Sequence, residues 1–210
     1  MSDKVDIINL SWTFDNDAKN SLKDAIDEAT RDKDSITGGP TNRALVFCAK
    51  SDQPYADDVF PANFPNAISV EAATSKARVG TEVSKPPDLL IWAERMPGFG
   101  FQSHHLDWTG NQPESHETTM EITGSSVATA IASGMASLML TLAKLHESSE
   151  LTEDRQWQLL KRRDVFLKVL EPFQQKNRLN DGARYLDPAK VFADRDLLVE
   201  GMNKAVREAS

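Results

Sequence analysis

A stretch of 22 residues without a charged side chain, residues 122–143, constrains the fold more than any other feature of the chain. It is long enough to span a bilayer as a helix. Its hydropathy is weak, however, because seven residues are Ser or Thr, two are Gly, and five of the thirteen apolar residues are Ala. We therefore expect a long buried helix from about Ser126 to Leu145, and a membrane anchor is the less favoured alternative.

Four short apolar runs predict buried strands. A pattern of apolar residues at helical spacing over residues 15–32 predicts an amphipathic helix between the first two runs. A strand, a helix and a second strand within 50 residues form a βαβ unit, so these strands should be parallel and the fold α/β. The runs cover residues 5–11, 44–49, 67–72 and 88–93.

Charged segments replace the uncharged stretch after about residue 148. This change predicts a boundary between residues 1–148 and a helical extension over residues 149–210. Before it, residues 94–121 read as a loop. After it, the pattern predicts one charged helix over residues 152–171, a short extended segment at residues 185–187 and a polar helix from Pro188 to the end.

Charge and cysteine content narrow the function classes. The 24 Lys and Arg stand against 32 Asp and Glu, which gives a net charge of −8 and argues against a nucleic-acid partner. The single cysteine, Cys48, allows no internal disulfide, and the first residues do not resemble a signal peptide. We expect a soluble protein of a reducing compartment, the cytoplasm.

Small residues crowd the start of the uncharged helix at residues 123–134. The hydroxyl of Ser126 would lie near free backbone N–H groups and the positive end of the helix dipole, where a nucleophile and a developing oxyanion are stabilised. The simpler interpretation is that a serine caps the helix and the small residues allow close packing. The residue pattern by itself favours capping.

A nucleophilic serine needs a base. His104, His105 and His116 lie in the polar loop before Ser126, where exposed histidines are common. His146 would lie roughly 30 Å away along the helix, which is too far. We expect no metal site, because the adjacent pair of loop histidines lacks ligand spacing and Cys48 lies in a strand. Residues 124–128 do not match the G-x-S-x-G motif that carries the nucleophile of α/β-hydrolases, since Ala128 replaces its second glycine. We therefore reject an α/β-hydrolase as the main interpretation.

The chain resembles the subtilisin-like serine peptidases, the S8 family. Residues 124–130, G-S-S-V-A-T-A, look like the G-T-S-M-A-x-P block of that family. Residues 6–11 are similar to its V-I-N-M-S-L strand and residues 46–52 to its V-A-A-A-G-N segment. Residues 65–72 resemble P-x-V-I-x-V-G-A, and residues 87–92 resemble the strand before A-P-G. The four further blocks follow the family order within residues 5–145, and divergent intracellular fungal members are the nearest resemblance.

The resemblance implies a serine endopeptidase that acts on peptides or proteins and needs no cofactor. It implies a partial doubly wound parallel sheet of the subtilisin type, with a long buried central helix and C-terminal helices. Ser126 takes the position of the nucleophile, and Asp52 stands where the family has the amide of the oxyanion hole. Calcium occurs in the family, but no acidic cluster here suggests it. The implied substrate-binding residues are Ser11, Trp12, Thr13, Ala49 and Lys50.

Two departures from the family pattern alter the expected activity. The D-[ST]-G and H-G-T blocks that carry the aspartate and histidine of the triad are absent from this sequence. An ionised Asp52 has no N–H to offer an oxyanion and would repel it. We therefore expect the chain to be inactive alone and to associate through an open sheet edge. The alternative is a non-catalytic module that binds a peptide or protein by strand addition.

Overall fold

A single mixed sheet organises the protein in the computed structural model, which describes residues 5–14, 20–31, 43–50, 60–73, 86–93, 95–99, 119–145, 153–176 and 184–210. The strand order is β1-β2-β3-β4-β8-β7. Neighbours from β1 to β8 are parallel, and β7 is antiparallel to β8. The predicted α/β class is confirmed. The strands are β1 (Ile7–Leu10), β2 (Leu45–Ala49), β3 (Ile68–Ala73), β4 (Leu89–Trp92), β7 (Gln174–Lys176) and β8 (Arg184–Leu186).

The four predicted strands match β1 to β4 to within a few residues. Every residue of β2 and β3 is buried, as expected for apolar strands covered on both faces of a parallel sheet. β1 differs, because Ile7, Ile8 and Leu10 are only half-buried and Asn9 is exposed. In the part of the chain that the structure describes, β1 pairs with β2 alone.

Two helices flank the parallel strands, α1 (Asn20–Thr30) and α2 (Ser125–Leu145). The prediction of a long helix near Ser126 to Leu145 is confirmed, and α2 packs on β1, β2 and β3. Among the described residues, α2 is the one helix with the length and composition of a membrane span, a test that soluble core helices also pass. Its buried residues are Ser125, Ala128, Thr129, Ala132, Met135, Ala136, Met139, Leu140 and Ala143.

The C-terminal part forms shorter helices than the sequence predicted. The single helix expected over residues 152–171 is wrong, because it is divided at Lys161 and Arg162 into α3 (Glu153–Leu160) and α4 (Arg163–Leu170). The polar tail is likewise divided into α5 (Pro188–Ala193) and α6 (Arg195–Ala209). Asp194 ends the first of these helices and caps the second, since its carboxylate accepts the N–H of Leu197 at 2.9 Å.

The loop predicted over residues 94–121 contains a hairpin that the sequence did not reveal. Strand β5 (Met96–Phe99) pairs antiparallel with β6 (Thr119–Ile122), and β6 leads directly into α2. The hairpin therefore helps to place the start of the central helix.

Ion pairs attach the α3–α4 turn to the sheet. The Lys161 ammonium donates to Oδ1 of Asp6 at 3.0 Å, next to the start of β1. The Arg163 guanidinium pairs with Asp88, whose Oδ2 accepts the N–H of Ser69 at 2.8 Å. These contacts connect the turn to the amino ends of β1, β3 and β4.

Candidate active site

Ser126 lies in the first turn of α2, two residues after Gly124. Gly124 has a φ of 134°, in the region that disfavours a side chain, and its carbonyl accepts the N–H groups of Val127 and Ala128 at 3.0 and 3.1 Å. Ser125 turns into the core, whereas Ser126 is exposed. The sequence of small residues thus places the hydroxyl of Ser126 at the surface of the helix amino terminus.

The Ser126 hydroxyl contacts the segment that leaves β1. Its Oγ donates to the backbone carbonyl of Ser11 at 2.8 Å. The Ser11 hydroxyl lies 2.7 Å from Oδ1 of Asn9 and 3.2 Å from the carbonyl of Ser126. Because a hydroxyl has one proton, the shorter contact to Asn9 is the stronger bond. The two predicted site residues therefore meet, although 115 positions separate them in sequence.

This contact decides between two roles for the Ser126 hydroxyl. An N-cap serine accepts a hydrogen bond from an amide of the first turn. Here the side chain donates to a carbonyl outside the helix, and the helix begins one residue earlier, at Ser125. Ser126 is therefore not the cap of α2, and its oxygen stays available at the positive end of the helix dipole.

The predicted substrate segment continues as an exposed strand end with an aromatic row beside it. Trp12 is 49% exposed and stacks on Phe14 at a centroid distance of 5.6 Å, while Thr13 is also exposed. Phe14 stacks on Phe60 at 6.2 Å and pairs with it through two backbone hydrogen bonds. Sequence reasoning missed this pairing, because no local pattern connects residues so far apart.

The remaining predicted residues divide between the core and the part that is not described. Ala49 and Lys50 are buried at the carboxyl end of β2, where the N–H of Lys50 donates to Val70 at 2.8 Å. Asp52, the predicted oxyanion position, lies outside the described residues. So do all four histidines, His104, His105, His116 and His146.

Three further observations concern the surroundings of the site. Burial raises the pKa of the Cys48 thiol to about 12, so this cysteine is no competing nucleophile at neutral pH.

Arg95, with a φ of 53°, donates its backbone N–H to the hydroxyl of Thr123 at 2.9 Å and so holds the strand before Gly124. Among the described residues no cluster of three His, Cys, Asp or Glu could hold a metal ion.

Comparisons with known proteins agree with this arrangement. A family model described as Peptidase_S8, subtilase family, matches residues 1–163. Among solved structures, the prenylagaramide maturation protease PagA is similar, with a TM-score of 0.53 and 18% sequence identity over 95% of this chain. The chain spans 61% of that protease chain. At this identity the likeness establishes the fold, and it confirms the predicted subtilisin-type sheet. No curated protein matches the chain.

Proposed function

Because the chain belongs to the subtilase family, whose model matches residues 1–163, we propose that it carries the nucleophile of a subtilisin-like serine endopeptidase site, with Ser126 in that role. One observation carries the proposal. The exposed hydroxyl of Ser126 lies in the first turn of α2 and contacts the carbonyl of Ser11, so the nucleophile adjoins an extended segment that a peptide can follow. Helix-start amides have no acceptor within the helix and can stabilise an oxyanion.

The proposed reaction needs a base, and the described residues around Ser126 include no imidazole that could serve as one. Oγ of Ser126 forms a bond to the carbonyl carbon of a peptide, and the hydroxyl proton passes to an imidazole base. The base returns the proton to the leaving amine as the C–N bond breaks. The carbonyl of Ser11, which now accepts the hydroxyl hydrogen bond, is far too weakly basic to take this proton. We assign the imidazole and its orienting carboxylate to a second polypeptide segment.

The outer edge of β1 supports docking of such a segment. In parallel sheets both faces are normally covered, and each interior strand pairs with a neighbour on both sides. β2 and β3 follow that rule, whereas β1 is half-exposed and pairs on one side only within the described residues. A further strand would satisfy the free backbone groups of β1 and would end beside Ser11.

The outer face of α2 supports the same docking. We define this face as the exposed residues Ser126, Ala130, Gly134, Ser137, Leu138 and Thr141. It carries no charge, and a side chain built on Gly134 would meet nothing within 4 Å. α2 packs on β1, and Ser126 at the start of this outer face contacts Ser11, which directly follows β1. Uncharged helix faces of this kind are typical of covered surfaces.

A second candidate function follows from the hydrogen bond between Ser126 and Ser11. The Ser126 hydroxyl donates its hydrogen bond to a backbone carbonyl, which is not a base, and no base among the described residues contacts it. This observation favours a pseudo-peptidase that binds a peptide by strand addition along Ser11, Trp12 and Thr13 without cleaving it.

A fluorophosphonate probe distinguishes these functions. We expect no labelling of the 210-residue chain alone. We expect labelling of Ser126 when the chain is co-expressed with a polypeptide that carries the family's D-[ST]-G and H-G-T blocks. Ser126→Ala should abolish the label, whereas Ser21→Ala, an exposed serine on α1 and outside the proposed docking surface, should retain it.

Each other outcome has a defined meaning. Labelling of the isolated chain that is lost in Ser126→Ala would contradict the assignment of the base to a second segment. A stable complex without labelling would contradict the peptidase and favour the binding module. Failure to form a complex would contradict the docking surface on β1 and α2.

A further inference from the structure

A cavity of about 190 Å³ opens at the end of the sheet opposite Ser126. It lies between the last residue of α1, Thr30, the amino ends of β2 and β3, and the turn that joins α3 to α4. Ser11 follows the carboxyl end of β1, whereas Leu45 and Ile68, which line the cavity, are the first residues of their strands. The cavity is therefore separate from the candidate active site.

Four basic residues line this cavity, and three of them pair with carboxylates. Arg43, Lys161, Arg162 and Arg163 line it, against one acidic lining residue, Asp164. This concentration of positive charge occurs in a chain with a net charge of −8. Asp6 and Asp88 pair with two of the cations but are not among the lining residues.

Lys161 is the most unusual of these residues, because its side chain is only 4% exposed. Its ammonium donates to Asp6 at 3.0 Å and makes no other hydrogen bond to the described residues. An ammonium has three N–H donors, and burying a charge with donors unsatisfied is costly. An acceptor placed in the cavity beside Lys161 would remove part of that cost.

The two arginines also retain donors after their internal contacts. Arg162 holds Asp164 through Nε and Nη2 at 3.1 and 2.7 Å, and its Nη1 donates to the carbonyl of Ala209 at 3.5 Å. Arg163 donates Nε to the carbonyl of Ala67 at 2.9 Å and Nη2 to Asp88. A guanidinium has five N–H groups, so each arginine keeps N–H groups that these partners do not use. The internal contacts fix the guanidinium planes, which reduces the entropy lost on binding.

We propose that this cavity binds a small oxyanion, a phosphate group. Fixed guanidinium groups and a buried ammonium suit the several oxygens of a phosphate. The volume is below that of typical drug-sized pockets, so the site suits inorganic phosphate or a small phosphomonoester and not a nucleotide. Asp164 limits the affinity, and its bidentate contact with Arg162 offsets that repulsion.

Titration of the 210-residue chain with inorganic phosphate tests the proposal. Thermal unfolding and calorimetry are followed at constant ionic strength, so that screening does not imitate binding. We expect saturable binding and a rising Tm. Arg162→Gln should weaken the affinity about tenfold, because a charge-assisted hydrogen bond is lost. Arg195→Gln removes the same charge from an exposed position on α6 and should leave the affinity unchanged.

A double variant, Asp6→Asn with Lys161→Gln, removes both the buried ammonium and its partly exposed carboxylate partner, and guards against misfolding caused by a single unpaired charge. It should fold and lose phosphate binding. O-phosphoserine serves as a second ligand, and the tighter of the two ligands identifies the source of the phosphate group. The proposal is overturned if neither ligand binds saturably, or if Arg162→Gln and Arg195→Gln bind phosphate equally well.

Discussion

The hydroxyl of Ser126 donates a 2.8 Å hydrogen bond to the backbone carbonyl of Ser11, and so joins the central helix to the end of the first strand. Both residues lie at the surface, so water can replace this bond. We expect Ser126→Ala to lower the free energy of unfolding by less than about 1 kcal/mol. Chemical denaturation measures this quantity. A loss as large as that of a missing helix cap, about 2 kcal/mol, would show that the hydroxyl has a structural role.

Gly124 should be the least replaceable residue of the turn before Ser126. Its φ of 134° is strained for any residue with a side chain, so Gly124→Ala should destabilise the protein by about 1–3 kcal/mol. Gly134 provides the control, because it lies within α2 with open space where a side chain would begin. Gly134→Ala should stabilise the protein by about 0.5–1 kcal/mol. Equal effects of the two substitutions would contradict this explanation.

Asp88 should contribute much more to the free energy of unfolding than an ordinary surface carboxylate does. It accepts the backbone N–H of buried Ser69 at 2.8 Å and pairs with Arg163. Asp88→Ala leaves a buried donor and a partly buried cation without their acceptor, at a cost of about 2–4 kcal/mol. Asp24→Ala, at an exposed position on α1, should change stability by no more than about 0.5 kcal/mol. Urea denaturation of the two variants compares them directly.

The buried thiol of Cys48 should make the free energy of unfolding fall at alkaline pH. Burial raises the pKa of its thiol to about 12, so the folded state keeps a proton that the unfolded state releases above about 8.5. The folded state is thus favoured fully below that lower pKa, and the advantage is lost as pH rises towards 12. Between about pH 8 and 10 the loss amounts to about 2 kcal/mol.

Cys48→Ala lacks this ionisation and isolates it from the titration of other groups. Its stability relative to the original chain should therefore improve by about 2 kcal/mol across the same pH interval. A thiol reagent gives a second readout, since native Cys48 is fully buried and should react only after unfolding. A difference between the two proteins that does not change with pH would refute the raised pKa.

The sequence predicted the elements that are long, apolar and locally regular. Short apolar runs located β1 to β4, and the uncharged stretch located α2, because buried strands and helices are rich in apolar residues and poor in charged ones. The hairpin of β5 and β6 left no such signature. Its first strand contains Pro97 and Gly98, which are poor strand formers, and its partner lies more than 15 residues away.

The sequence located the helix start that carries Ser126, the proposed nucleophile, and it located the surroundings of Ser126 less well. Small residues around Ser126 and a family motif located the helix start. The contact between Ser126 and Ser11, and the row from Trp12 through Phe14 to Phe60, depend on tertiary packing across many residues and have no local pattern. The break of the C-terminal helix at Lys161 was missed because no Gly or Pro marks it, and ion pairs to the sheet accompany it.

The sheet ends differently on its two sides, and this asymmetry limits how the protein can assemble. One border is β7, an antiparallel strand of only three residues, and strands this short are poor templates for pairing. Among the described residues, the other border is β1. If copies pair through β1 and not through β7, they cannot add end to end into a filament. We therefore expect association at β1 to give a discrete two-body complex whose mass does not grow with concentration.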